Sequence, residues 1–141
     1  MNRIAESYVK LVLAVGQHDA DYVDAFYGPA EWRTAAEKAK RPLPEIRDEA
    51  TSLISEIEAQ PPASGDELVR LRHQYLARQL QALLARVNLL SGTRLTFDEE
   101  SKALYDAVAP EHGAEHFQAI LDELSALIPG DGPLSGRIGV F

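Results

Sequence analysis

Residues 66–90 read DELVRLRHQYLARQLQALLARVNLL and decide the fold class. Apolar side chains recur every three or four residues along the whole stretch, which is the period of an α-helix. They occupy more than half of the helix circumference: Leu68, Leu71, Tyr75, Leu76, Leu80, Ala82, Leu83, Leu84, Val87, Leu89 and Leu90. Because such a helix is usually contacted on two sides, we expect it at the centre of a helical bundle.

The same period recurs on both sides of this helix. An N-terminal stripe ends at Gly16, where we expect a left-handed glycine to stop the helix. Further helices are predicted after Pro29 and from Pro44, and residues 61–65 read as a loop. No segment alternates polar and apolar residues, so we expect no strands. Short connections then favour an all-α, irregular antiparallel bundle of about six helices.

The C-terminal third continues the pattern. Thr96 and Glu99 form a predicted capping box at the start of a helix. Its apolar residues, Phe97, Leu104, Tyr105 and Val108, are expected to face inward, and a last helix carries Phe117, Ile120, Leu121, Leu124 and Ile128. We expect residues 1–134 to form one bundle domain. Residues 135–141 are too few to form an element and are interpreted as a tail, and as a candidate truncation point of a longer protein.

Composition and charge exclude several function classes. The chain has 141 residues and no cysteine, which removes disulfides, thiolate nucleophiles and cysteine-based zinc sites. Its net charge of −8 disfavours binding to nucleic acid and to anionic membranes. The longest strongly apolar run, Leu11 to Val15, is far shorter than a membrane span, and the N-terminus does not resemble a signal peptide. We expect a cytoplasmic protein without a membrane anchor.

The sharpest local pattern is His112-Gly113-Ala114-Glu115-His116, which fits H-x-x-E-H. On a helix, both imidazoles could bind one zinc ion while Glu115 activates its water. However, Pro110 precedes the motif, Gly113 weakens a helix, and no third ligand is evident. The alternative is a polar helix start without metal. His18 and His73 are expected in loop, capping or interhelical contacts.

Residues 21–32 read DYVDAFYGPAEW and concentrate four of the ten aromatic residues. Two interpretations are open. The rings could pack as a structured corner while their polar atoms reach hydrogen-bonding partners. Alternatively, Tyr22, Tyr27 and Trp32 could form a rim that binds an apolar or cationic ligand.

The same segment carries a resemblance. Residues 22–32, 71–90, 95–106 (LTFDEESKALYD) and 127–134 (LIPGDGPL) resemble the N-terminal region of a bacterial family of uncharacterised proteins similar to zinc metallopeptidases. The resemblance stops at Ser135-Gly136-Arg137. In that family the zinc-binding His-Glu-x-x-His helix lies downstream of this region. The resemblance therefore implies no catalytic residue, metal ligand or cofactor in this chain, with zinc expected in a longer parent protein.

Three functions follow as hypotheses. The first is a non-catalytic N-terminal helical domain that packs against the remainder of a metallopeptidase-like protein and is inactive alone. The second is a stand-alone helical interaction module that self-associates through an apolar face. The third is a small metal-dependent hydrolase that uses His112, Glu115 and His116.

Overall fold

The computed structural model describes residues 1–60 and 65–139, which contain seven α-helices and no strand. The helices are α1 Asn2–Val15, α2 Ala30–Ala39, α3 Leu43–Ala59, α4 Glu67–Leu90, α5 Phe97–Tyr105, α6 Ala114–Leu127 and α7 Leu134–Ile138. A 3₁₀ turn, Ala20–Tyr22, lies between α1 and α2. The all-α helical bundle is thus confirmed. Except for Gly65, the predicted loop at residues 61–65 lies outside the described residues.

The chain divides into two compact units, Met1–Val108 and Ala109–Phe141. In the first unit α1, α3 and α4 pack against one another around an apolar core. Its buried members come from all three helices: Ile4, Leu11, Ala14, Val15, Ile46, Ala50, Leu53, Ile57, Leu76, Leu80, Leu83 and Val87. The sequence predicted a bundle domain of residues 1–134 and a tail of residues 135–141, and these bounds stay a prediction.

The burial of α4 differs from the expectation over its first half. The buried line is Leu76, Leu80, Leu83 and Val87, which repeats at helical spacing toward α3 and α1. Leu68, Leu71 and Tyr75 are instead 75%, 47% and 65% exposed. At about 100° per residue, Leu71 and Tyr75 lie on another side of the helix. Helix α4 packs against α1, α3 and α5, in line with the expected contact on two sides, but these three residues of its N-terminal half lie outside the contacts.

Helix α5 begins as predicted but buries less than predicted. The Thr96 amide donates to Glu99 Oε2 at 2.8 Å, and the Glu99 amide donates to Thr96 Oγ1 at 3.4 Å, which confirms the capping box. Leu104 is half-buried, whereas Phe97, Tyr105 and Val108 are 78%, 76% and 48% exposed, so their predicted inward direction was wrong. A nine-residue helix that packs on α4 along one side leaves its remaining apolar residues in solvent.

The second unit consists of α6 and α7. Helix α6 carries the predicted apolar stripe, and its large apolar residues are exposed: Phe117, Ile120, Leu121, Leu124 and Leu127. The tail was expected to form no element, yet α7 forms after Pro133. Arg137 explains why, because its Nη1 donates to the carbonyl oxygens of Ser125 and Ile128 at 2.9 and 2.8 Å. These bonds satisfy acceptors at the end of α6.

Gly16 ends α1 without the predicted left-handed turn. Its φ is −59°, in the right-handed region, and its amide donates to the Val12 carbonyl at 3.0 Å. A Cβ at this position would lie 3.0 Å from Val23 Cγ2. Glycine is therefore favoured here by the close approach of Val23 and not by backbone conformation.

Across the described ranges, none of the helices combines the length and the apolar character that crossing a membrane requires.

Candidate functional site

Neighbouring cavities follow one side of α4 within the first unit. A cavity of about 700 Å³ is bordered by Leu71, Tyr75, Arg78 and Gln81. It shares Arg78 and Gln81 with a cavity of about 260 Å³ that α5 closes. That cavity shares Gln79, Ala82, Leu104 and Tyr105 with one of about 430 Å³, which reaches Asp19, Tyr22 and Arg86. We call this surface, from Leu71 to Arg86 with Tyr22, Leu104 and Tyr105, the α4 groove.

Tyrosines dominate the α4 groove. Tyr75 and Tyr105 border it and are largely exposed, while Tyr22 is half-buried at its far end. Half-buried Tyr8 reaches it through Gln79, because the Tyr8 hydroxyl donates to Gln79 Oε1 at 2.8 Å. Four of the five tyrosines in the sequence thus meet on this surface. Tyrosine and arginine are the residues most enriched in protein-binding surfaces, because they give a large contact area and hydrogen bonds together.

The two half-buried tyrosines are neutral hydrogen-bonding groups. Burial, with smaller contributions from the neighbouring Tyr22 and Tyr75, raises the pKa of Tyr8 to about 12. Burial also raises the pKa of Tyr22, where Arg86 acts in the opposite direction and Asp19 adds to the rise. Both phenols therefore stay protonated near neutral pH. They can orient a partner, but they cannot act as general bases there.

An ion pair anchors the far end of the α4 groove. Arg86 donates from Nε and Nη2 to Asp19 Oδ2, at 2.8 and 2.5 Å. The Asp19 side chain is 11% exposed and that of Arg86 is 33% exposed, so the pair is largely shielded from water. The pair uses two of the five N–H donors of the Arg86 guanidinium. The groove thus offers a bound partner further donors in a fixed position.

The structure separates the three aromatic residues that the sequence singled out. Tyr22 borders the α4 groove, whereas Trp32 borders a different cavity between α1 and α2. Tyr27 is 98% exposed, so it does not form a rim with the other two. The Phe26 ring packs over Gly28 so closely that a Cβ there would collide with it. That contact packs one ring of the segment against its own backbone, and the structured corner stays a prediction.

The H-x-x-E-H motif does not adopt the helical geometry that zinc binding requires. His112 and Gly113 precede α6, which begins at Ala114. The imidazoles of His112 and His116 stack with their centroids 4.0 Å apart and their planes 17° apart. Imidazole lone pairs lie in the ring plane, so those of stacked rings run side by side and do not converge on one ion. Across residues 1–60 and 65–139, no three His, Asp or Glu side chains are grouped to hold a metal.

The other two histidines form hydrogen bonds with backbone carbonyl groups. His18 Nε2 lies 2.7 Å from the Arg41 carbonyl oxygen. His73 Nε2 lies 2.8 Å from the carbonyl oxygens of both Ile57 and Gln60 at the end of α3. Because carbonyl oxygens only accept, each Nε2 carries the proton. These contacts confirm the capping and interhelical roles expected for the two residues.

Sequence reasoning missed most of the α4 groove. Tyr8 and Arg86 were not predicted as functional residues, and Tyr75 and Tyr105 were expected on inward apolar faces. No short motif connects them, because they come from α1, α4 and α5. A useful signal was available in the tyrosine distribution, since the apolar stripes of α1, α4 and α5 each include a tyrosine.

Comparison of the chain with protein-family models, with curated proteins and with solved structures finds no match.

Proposed function

We propose that this chain is a non-catalytic helical domain that binds another protein segment through the α4 groove. The segment that we propose is the remainder of a zinc metallopeptidase-like protein, for which this chain supplies the N-terminal region. The observation that carries the proposal is the exposure of Leu71, Tyr75 and Tyr105 side by side with ordered polar groups. Large apolar side chains grouped in this way typically mark an interaction surface.

The energetics support binding of a protein segment. Leu71 is 47% exposed in the groove, and full burial of a leucine side chain contributes about 1.5–3 kcal/mol. Tyr75 and Tyr105 add larger areas at a low cost in side-chain entropy. The Asp19–Arg86 pair holds the far end of the groove in place before a partner arrives, which reduces the ordering cost of binding.

The resemblance of residues 22–32, 71–90, 95–106 and 127–134 supports the choice of partner. The second stretch forms most of α4 and the third forms α5, so the resembling residues also build the α4 groove. Under this proposal zinc belongs to the partner region, and the chain contributes a wall of the assembled protein. The absence of cysteine is compatible with the cytoplasmic location that we propose.

Self-association through α6 is the second candidate. Five large apolar residues of α6 are exposed, and within the described part of its unit this helix packs against the five-residue α7. A 14-residue helix is about 21 Å long, so a strip about 10 Å wide buries on the order of 210 Å² per copy. Stable interfaces bury about 800 Å² per partner. Pairing through α6 alone would therefore be weak.

Binding in trans tests the proposal. The chain is mixed with the downstream region of a family member whose N-terminus carries the resembling stretches, and association is measured by calorimetry. We expect Tyr105→Ala to weaken binding at least about tenfold, because tyrosines at interface centres contribute most. Tyr27→Ala is the matched control, since Tyr27 is 98% exposed away from the groove, and it should leave binding unchanged.

Two results would reject the leading candidate. One is the absence of association with the downstream region, and the other is equal weakening by Tyr105→Ala and Tyr27→Ala. Light scattering of the chain alone at increasing concentration tests the second candidate. A mass that doubles with concentration, and that Leu121→Ser restores to the monomer value, would support self-association through α6.

A further inference from the structure

A second cavity, separate from the α4 groove, lies between α1 and α2. Its volume is about 480 Å³, within the range of small-molecule sites. Half-buried Trp32 borders it together with four alanines, Ala14 on α1 and Ala35, Ala36 and Ala39 on α2. These five residues give the cavity a mainly apolar lining.

Two cations border the same cavity. Lys10 Nζ lies 4.9 Å from the centroid of the Trp32 ring, and Arg41 lies at the end of α2. Both already have acidic neighbours: Lys10 Nζ is 2.6 Å from Glu6, and Arg41 lies 2.7 Å from Glu49 and 3.9 Å from Glu45. Glu31 also borders the cavity. Exposed ion pairs of this kind are weak and exchange readily with solvent, so both cations remain available to a ligand.

The hydrogen-bonding capacity of Lys10 also favours an anionic ligand. An ammonium group has three donors, and the contact with Glu6 occupies one of them. The cation over the Trp32 face also occupies the position that a cationic ligand would take. The sequence left an apolar or cationic ligand open for this aromatic segment, and the position of Lys10 disfavours the cationic one.

We propose that this cavity binds an amphiphilic anion, such as a medium-chain carboxylate. Its apolar tail lies against Trp32 and the alanine side chains, and its carboxylate lies between Lys10 and Arg41. The tail displaces water from an apolar surface, and the head group gains charge-assisted hydrogen bonds. The site is independent of the α4 groove, so either proposal can fail without the other.

Trp32 is the only tryptophan, so its fluorescence reports the cavity directly. The chain is titrated with octanoate, octanol and octylamine, which share a tail and differ in head group. We expect saturable binding with octanoate tightest and octylamine weakest. Hexanoate and decanoate should bracket octanoate, with Kd falling about two- to fourfold per added methylene. Non-saturable signals, or equal affinity for octanoate and octanol, overturn the proposal.

Substitutions at the cavity test where the head group and the tail of the ligand bind. Lys10→Gln and Arg41→Gln should each weaken octanoate about two- to fivefold and leave octanol unchanged. Ala35→Leu adds bulk at an exposed residue that borders the cavity and should abolish both signals. Ala30→Leu is the matched control, because it adds the same bulk on α2 outside the cavity. The charge variants keep the test decisive if Ala35→Leu does not fold.

Discussion

Arg86 donates two hydrogen bonds to a single carboxylate oxygen of Asp19, at 2.8 and 2.5 Å, across 67 residues of sequence. The contact ties the 3₁₀ turn Ala20–Tyr22 to α4. It also holds Tyr22 at the far end of the α4 groove. One ion pair thus connects two distant parts of the chain and fixes one end of the proposed binding surface.

Removing either partner of this ion pair should destabilise the chain. We expect Asp19→Ala or Arg86→Ala to lower the free energy of unfolding by about 1–3 kcal/mol, because a shielded charge loses its partner. The double variant should lose less than the sum, which urea denaturation of all four proteins measures. Glu6→Ala is the control, since its exposed pair with Lys10 should change stability by less than about 0.5 kcal/mol. Fully additive losses would contradict this account.

Stability should fall in alkaline solution through Tyr8. Its pKa is raised to about 12 by burial, so the folded state retains the phenol proton that the unfolded state releases near pH 10. The stabilisation is complete below pH 10 and is lost as the pH rises toward 12. Partial exposure limits the loss to about 1 kcal/mol. Urea denaturation of the wild type and Tyr8→Phe at pH 8 and pH 11 measures it, and the wild type should lose more.

The capping box should control the local stability of α5. Thr96→Ala removes the side-chain acceptor of the Glu99 amide and should cost about 1 kcal/mol. Hydrogen exchange of the first-turn amides of α5 should accelerate accordingly. Thr93→Ala is the control, because Thr93 lies in the preceding connection outside the cap. Equal acceleration by both substitutions would show that the capping box has no specific effect.

Substitution by alanine should affect stability very differently at two leucines of α4. Leu83 is fully buried, so Leu83→Ala should destabilise the chain by about 2–5 kcal/mol in urea denaturation. Leu68 is 75% exposed, so Leu68→Ala should change stability by less than about 0.5 kcal/mol. Similar losses at both positions would mean that the two residues are buried alike.

The helical class and most helix positions could be predicted from the sequence, because both depend on local interactions. The period of residues 66–90 predicts α4, whose N-cap Asp66 accepts from the Leu68 amide at 2.9 Å. Thr96 and Glu99 predict the start of α5 for the same reason, since cap and partner are three residues apart. Interactions over three or four residues are visible in a sequence without knowledge of the fold.

Tertiary structure alone decided which apolar residues are covered and which polar residues meet. Leu71 and Leu83 have the same side chain on the same helix, yet only Leu83 faces the α1–α3 core. Tyr8, Tyr22, Tyr75 and Tyr105 come from four elements, and only helix packing brings them to one surface. Helical periodicity specifies that an apolar face exists, but burial depends on the neighbours that distant parts of the chain provide.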